Sequence, residues 1–169
     1  MPMTRGTVMS VAIGGAVRGQ PGVPGELKGC FLAEKTGTLL ANTEHGVFGV
    51  FGRIPESTMQ PIPLGTKQDI KEGEATILTT VGADGVKAYQ VMLSSLRLGG
   101  TPDKNFIINV TDPELLQATG GIVQGMSGSP VIQNGRLVGA VTHVMVSDPT
   151  RGYGILIENM LDSMPEELS

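Results

Sequence analysis

Gly125-Met126-Ser127-Gly128-Ser129-Pro130 lies between two apolar runs and reads Gly-x-Ser-Gly-Ser-Pro. Glycine reaches backbone conformations closed to other residues, so Gly125 and Gly128 let the chain fold tightly around Ser127. A loop of that kind turns amide N–H groups toward one point. The amides of Gly125 and Ser127 are the pair that could hold the oxyanion formed when the Ser127 hydroxyl attacks a carbonyl carbon. The downstream flank shows what carries the loop. Pro130-Val131-Ile132 reads as a strand, Gln133-Asn134-Gly135-Arg136 as a hairpin turn built on Asn-Gly, and Leu137 to Val146 as the returning strand.

Away from this loop the chain keeps the same character. Thr7 to Val17 alternates weakly and reads as a strand, with Gly14-Gly15 marking a bulge or a close backbone approach. Gly19 to Gly29 is a loop around Gln20-Pro21-Gly22-Val23-Pro24-Gly25. Strands begin at Cys30-Phe31-Leu32, at Gly37 to Leu40 and at Gly46 to Phe51, with Asn42-Thr43-Glu44-His45 as a connection. Pro55 to Gly65 contains Pro55, Pro61 and Pro63 and reads as the crossing between two halves. Glu74 to Val81 and Val86 to Leu96 are strands joined by the turn Ala83-Asp84-Gly85, and Asn105 to Val110 is another. Asp112-Pro113-Glu114-Leu115-Leu116 starts a short helix: an acidic cap, proline at the first helical position, then apolar residues. Gly120-Gly121 ends it. Gly154 to Ile157 is a last strand, and Glu158 to Leu168 a C-terminal helix.

The pattern is all-β with a small helical component, and composition agrees. Of 169 residues, 40% are hydrophobic, with 25 glycines, 11 prolines and no tryptophan, so the core is aliphatic and the turns are many. The net charge is −4, and no basic tract or Cys/His cluster is present, which argues against nucleic acid and structural zinc. No cofactor or metal is expected. Cys30 is the one cysteine, so no internal disulfide can form; it reads as a buried apolar thiol. The longest apolar runs fall short of the roughly 20 residues that span a bilayer, and no apolar stretch follows Met1 to Gly6 as a signal peptide would require.

A serine needs a base, usually histidine, to become a nucleophile. His45 precedes Ser127 but sits in a polar connection and reads as a solvated loop histidine. His143 follows Ser127 within an apolar strand. It either lines the substrate pocket or is a satisfied buried histidine. Asp112 is an acid upstream of the serine and is explained by helix capping. Asp148, in Ser147-Asp148-Pro149-Thr150, reads as a turn residue.

The Gly125–Pro130 segment resembles the nucleophile segment of trypsin-like double β-barrel proteases, in which the following hairpin forms the wall along which substrate backbone lies. The likeness implies two barrels sharing a cleft within one domain spanning 1–169, divided near 55–65. His143 falls on the wrong side of Ser127 for the His, Asp, Ser order of that template. Met126 stands where trypsin has an aspartate that pairs with a freed N-terminus, so ordering of the loop by such an ion pair is not expected.

A more specific resemblance covers nearly the whole chain. Gly120-Gly121-Ile122-Val123-Gln124-Gly125-Met126-Ser127-Gly128-Ser129-Pro130 resembles the nucleophile segment of the stage IV sporulation protein B (SpoIVB) serine peptidases. So do Gly139-Ala140-Val141-Thr142-His143-Val144 and Asp148-Pro149-Thr150-Arg151-Gly152-Tyr153-Gly154. Upstream, Pro24-Gly25-Glu26-Leu27-Lys28-Gly29, Asn42-Thr43 and Gly46-Val47-Phe48-Gly49 also match. The resemblance implies an endopeptidase of endospore formation. It would act on a protein substrate between forespore and mother-cell membranes, with Ser127 as nucleophile and Asp112 as triad acid. The family's membrane anchor and PDZ domain are not in this chain, and no membrane contact is expected of it. The family's catalytic histidine lies in a Gly-His segment ahead of the stretch that Pro2 to Gly6 resembles, and no Gly-His dipeptide occurs here. Two readings follow: a peptidase whose base is supplied outside this sequence, or a non-catalytic peptide-binding β-domain derived from one.

Overall fold

A computed structural model describes residues 6–53, 60–99 and 103–166. The first half forms three strands, β1 (Gly6–Val17), β2 (Glu26–Thr43) and β3 (Gly46–Phe51), paired antiparallel in the order β1-β2-β3. The second half closes a barrel from β4 (Gly73–Thr80), β5 (Val86–Ser94), β6 (Phe106–Val110), β7 (Pro130–Gln133), β8 (Arg136–Val144) and β9 (Arg151–Leu156), in the order β4-β5-β6-β9-β8-β7. Helix α1 (Pro113–Thr119) joins β6 to the glycine-serine loop, and α2 (Ile157–Asp162) follows β9.

The mostly β character read from the sequence is present. The barrel belongs to the second half; the first half is an open three-stranded sheet among the described residues. The sequence broke β2 into two strands at Gly37, whereas the structure runs one 18-residue strand through it, because register shifts opposite Val8, Met9 and Val11 absorb the irregular stretch as bulges. The last strand starts three residues earlier than expected, at Arg151; of the helix read over Glu158 to Leu168, α2 ends at Asp162, and 167–168 lie outside the described residues. Within the proline-rich crossing, 54–59 lies outside the described residues. Its remainder runs beside β8, where Leu137 donates to the Pro63 carbonyl and Gly65 to the Leu137 carbonyl.

The core sits in the barrel, where Ile77, Val91, Leu93, Phe106, Ile108, Val131, Val138 and Val141 are buried together. Alternating positions on β4 and β5 point inward, as a half-buried antiparallel strand requires. Phe106 lies over two glycines of neighbouring strands: a Cβ on Gly139 or Gly154 would run into its ring. At Gly154 the ring itself occupies the space, while at Gly139 the Ile155 carbonyl excludes a side chain even more closely than the ring does. Below the barrel, fully buried Asn105 accepts from the Leu156 amide (2.9 Å) and from Asn159 (3.0 Å), tying the β5–β6 loop to the start of α2. Asn105→Leu is expected to cost about 1–3 kcal/mol, because it strands a buried amide of Leu156; urea unfolding measures it.

The N-terminal sheet is more open. Cys30, expected to be buried, is exposed on β2. Phe31 is 79% exposed and Val47, Val50 and Phe51 are exposed on β3. What holds this sheet to the barrel is the loop between β1 and β2. Gly19 donates to the Thr119 carbonyl, Gly22 to Val146, and Leu27 to Gln124, while Gln124 donates back to Gly25. Those contacts reach the residue immediately before the glycine-serine loop. None of the helices among the described residues is long and apolar enough to cross a membrane.

Candidate active site

The site is assembled by one connection, from the end of β6 through α1 to β7. Asp112 caps α1: its Oδ1 accepts from the amides of Glu114 (2.9 Å) and Leu115 (3.1 Å). Pro113 occupies the first helical position, and Gly120 at the other end takes the left-handed conformation, φ 76°. Gly121 follows at φ 133°, and a Cβ there would strike the Pro149 carbonyl to which Ile122 donates. The two glycines thus let the chain leave the helix and press against the 145–150 loop. Ile122 and Val123 then enter the core, Gln124 bonds the N-terminal segment, and Met126 turns back inside with 0% exposure. The Val123 amide donates to the Met126 sulfur at 3.3 Å. Burying Met126 directs the residues on either side of it outward, so Gly125 and Ser127 are exposed.

The amides of this loop divide cleanly. Those of Ile122, Val123, Gln124, Met126, Gly128 and Ser129 each have an acceptor within the protein. Those of Gly125 and Ser127 have none among the described residues. Two exposed donors, one of them the serine's own amide, suit a developing negative charge, because no reorganisation is needed to bind it. The Ser127 hydroxyl donates to the Thr142 carbonyl on β8 at 2.6 Å. The loop is pinned to the same strand by Gly128 donating to Val141 (2.8 Å) and Val141 donating to Ser129 (2.9 Å).

The other sequence candidates lie apart from this contact. Asp112 is half-buried at the far end of α1, a helix of 7 residues. Besides capping, its Oδ2 accepts from the Gln90 amide at 3.1 Å. Neighbouring Tyr89 is buried, which pushes its phenol above the ordinary value, and the Glu114 and Asp112 charges add to the shift. His143 sits on β8 one residue beyond Thr142. It is solvent-accessible, with its side chain 56% exposed and Nδ1 3.9 Å from Asp103 Oδ2, and so is not the buried histidine of one sequence reading. His45 is in the turn between β2 and β3, where its amide donates to Thr43 Oγ1. Among the described residues no histidine bonds Ser127. Asp148 accepts from the Thr150 amide and hydroxyl, as a turn residue does. No group of three or more His, Cys, Asp or Glu among the described residues could hold a metal.

Two features were invisible in the sequence and a third was nearly so. Thr142 contributes through its carbonyl, which every residue has. Leu27 packs where a Cβ on Gly125 would fall, across nearly a hundred residues of chain. Met126 as the loop's internal support had one signal, an apolar residue between two outward-facing neighbours, and that signal is weak for a single methionine.

A closed β-barrel that presents a serine on a glycine loop with two unpartnered amides is a serine-peptidase type of arrangement. The family model of the SpoIVB peptidase S55 matches residues 1–161. The chain belongs to the SpoIVB peptidase S55 family. No curated protein matches it. One solved structure similar to it is Rv3671c from M. tuberculosis H37Rv, a serine-to-alanine mutant in an inactive form. The identity is 12%, 87% of this chain and 83% of that chain are covered, and the TM-score is 0.48, a level at which the likeness supports no conclusion.

Proposed function

We propose that this chain is the peptidase domain of a serine endopeptidase whose nucleophile is Ser127. The observation that carries the reading is the pair of unpartnered amides, Gly125 and Ser127, on either side of the buried Met126. Acyl transfer would proceed as follows. A histidine takes the Ser127 proton as the oxygen bonds to the substrate carbonyl carbon. The oxyanion is held by the two amides. Collapse expels the amine, which leaves with the proton from the histidine, and water then hydrolyses the acyl-enzyme. Asp112 is the acid that orients the histidine; its Oδ2 accepts one amide and retains a lone pair for a further donor. His143 lines the substrate path. On its β7 side β8 is paired with β7 as far as Ala140 and meets the glycine-serine loop at Val141 and Thr142, so an extended peptide would add from His143 onward.

The base, in this proposal, comes from outside these 169 residues. Neither His45 nor His143 bonds Ser127, whose hydroxyl is turned to a backbone carbonyl. In this reading the three-stranded sheet takes the part of a second barrel, a reading supported by its hydrogen bonds to Gln124 beside the glycine-serine loop. Family membership supports a protein substrate in signalling during endospore formation, in the space between the forespore and mother-cell membranes.

The second reading is a peptide-binding domain without turnover, favoured by the engagement of Ser127 with Thr142. One experiment separates the readings. A fluorophosphonate should label Ser127 about 10⁴-fold or more slowly than it labels trypsin, the size of a missing triad member. Rapid labelling that disappears in Ser127→Ala would place the base on His143 or His45 and overturn the external base. Labelling unaffected by Ser127→Ala would remove Ser127 as nucleophile. Peptide affinity without cleavage, even once a Gly-His segment is joined upstream, would favour the binding domain.

A further inference from the structure

We propose that the side chain of Thr142 is a positioning residue for Ser127. The inference rests on the reading of Ser127 as nucleophile for its consequence, though not for its geometry. In the β8–β9 pairing, Val141 faces Gly154 and His143 faces Tyr153, so Thr142 is an extra residue, a bulge. In an unbroken antiparallel ladder each carbonyl is committed to a neighbouring strand. At a bulge one residue drops out of the ladder, and here the Thr142 carbonyl turns to the glycine-serine loop and accepts the Ser127 hydroxyl at 2.6 Å.

The Thr142 side chain holds that bulge from the other side. Its Oγ1 lies 3.0 Å from the Asp103 carbonyl and 3.1 Å from the Tyr153 carbonyl. One hydroxyl proton is thus shared between the loop before β6 and the partner strand β9. A β-branched side chain has few χ1 choices, so these bonds fix the residue's backbone as well as its oxygen. On the loop side, Gly128 and Ser129 are bonded to Val141, next in the chain. The orientation of the Ser127 hydroxyl therefore depends on a carbonyl whose direction is set by the side chain of its own residue. The consequence for chemistry is a resting state in which the serine proton is held by the backbone. It is given up only to a base strong enough to displace that carbonyl.

The test uses the whole chain and solution NMR. Three-bond couplings report the Ser127 χ1 rotamer, and thermal unfolding reports the fold. Wild type and Thr142→Ser, which keeps the hydroxyl, should each show one dominant Ser127 rotamer. Thr142→Val keeps shape and β-branching but removes the donor, and it should average Ser127 over several staggered wells. Should Thr142→Val fail to fold, Thr142→Cys, with its weaker donor, takes its place and should show partial averaging. An unchanged Ser127 rotamer in Thr142→Val, or in Thr142→Cys where that variant stands in, would overturn the proposal. So would averaging in Thr142→Ser as large as in the valine variant, because packing alone would then be responsible. Failure of the nucleophile reading looks different: Ser127 would resist fluorophosphonate with a base supplied, while the rotamer series behaved as described.

Discussion

Met126→Ala is expected to lower the unfolding free energy by about 2–5 kcal/mol, the usual range for truncating a fully buried large apolar side chain. Met126 has 0% exposure and packs in the same cluster as Leu115, Ile122, Val123, Val131 and Val141. Truncation leaves a void that neighbours held by barrel strands fill poorly, and it removes the sulfur that accepts from the Val123 amide. The loss should be local in a telling way. Because Met126 inside is what turns Gly125 and Ser127 outside, hydrogen exchange of the 122–129 amides should rise more than that of β5. Met126→Leu, which nearly conserves volume, should cost under about 1.5 kcal/mol. Equal losses for alanine and leucine in urea unfolding would show that filling the space is not what Met126 does. Met126→Asp, the residue type of the trypsin likeness, should be worse than alanine, since it buries a charge without a partner.

Gly121→Ala is expected to cost about 2–6 kcal/mol, from backbone strain of about 1–3 kcal/mol and overpacking of about 1–3 kcal/mol. At φ 133° an L-residue is strained whatever the space, and the new methyl would overlap the Pro149 carbonyl oxygen and the Thr150 backbone. Neither neighbour can retreat easily, since Pro149 receives the Ile122 amide and Arg151 starts β9. Gly128→Ala is the control. Its φ is 88°, but a Cβ there meets nothing within 4 Å, so only conformational strain of about 1–2 kcal/mol is expected. A Gly121→Ala chain as stable as Gly128→Ala, by urea midpoint, would remove the tight approach as the reason for glycine.

Much of the barrel was legible because its signals are local. Asn134-Gly135 specifies the β7–β8 hairpin, and both residues take positive φ as a type I′ turn demands. Asp112, Pro113 and Gly120 mark the ends of α1 by satisfying amides and carbonyls that the helix itself leaves open. Boundaries were harder where an element depends on its partner. β2 runs straight through Gly37 because β1 and β3 hold it on both sides, and no window of β2 alone contains that fact.

The sequence by itself determined that this is a β protein with a nucleophile-type loop at Gly125–Ser129, and the family follows from motifs that are contiguous. Glycine, proline and asparagine act on the backbone of their own few residues, so their meaning survives without the rest of the molecule. The tertiary structure decided which amides of that loop remain free, since an amide is free only when every other acceptor is spent elsewhere. It decided that the Ser127 hydroxyl meets Thr142 rather than a histidine, because the pairing of β8 with β9 places a carbonyl there. It also decided that one half closes into a barrel while the other, among the described residues, is an open sheet, a matter of long-range strand pairing that alternation along the chain does not encode.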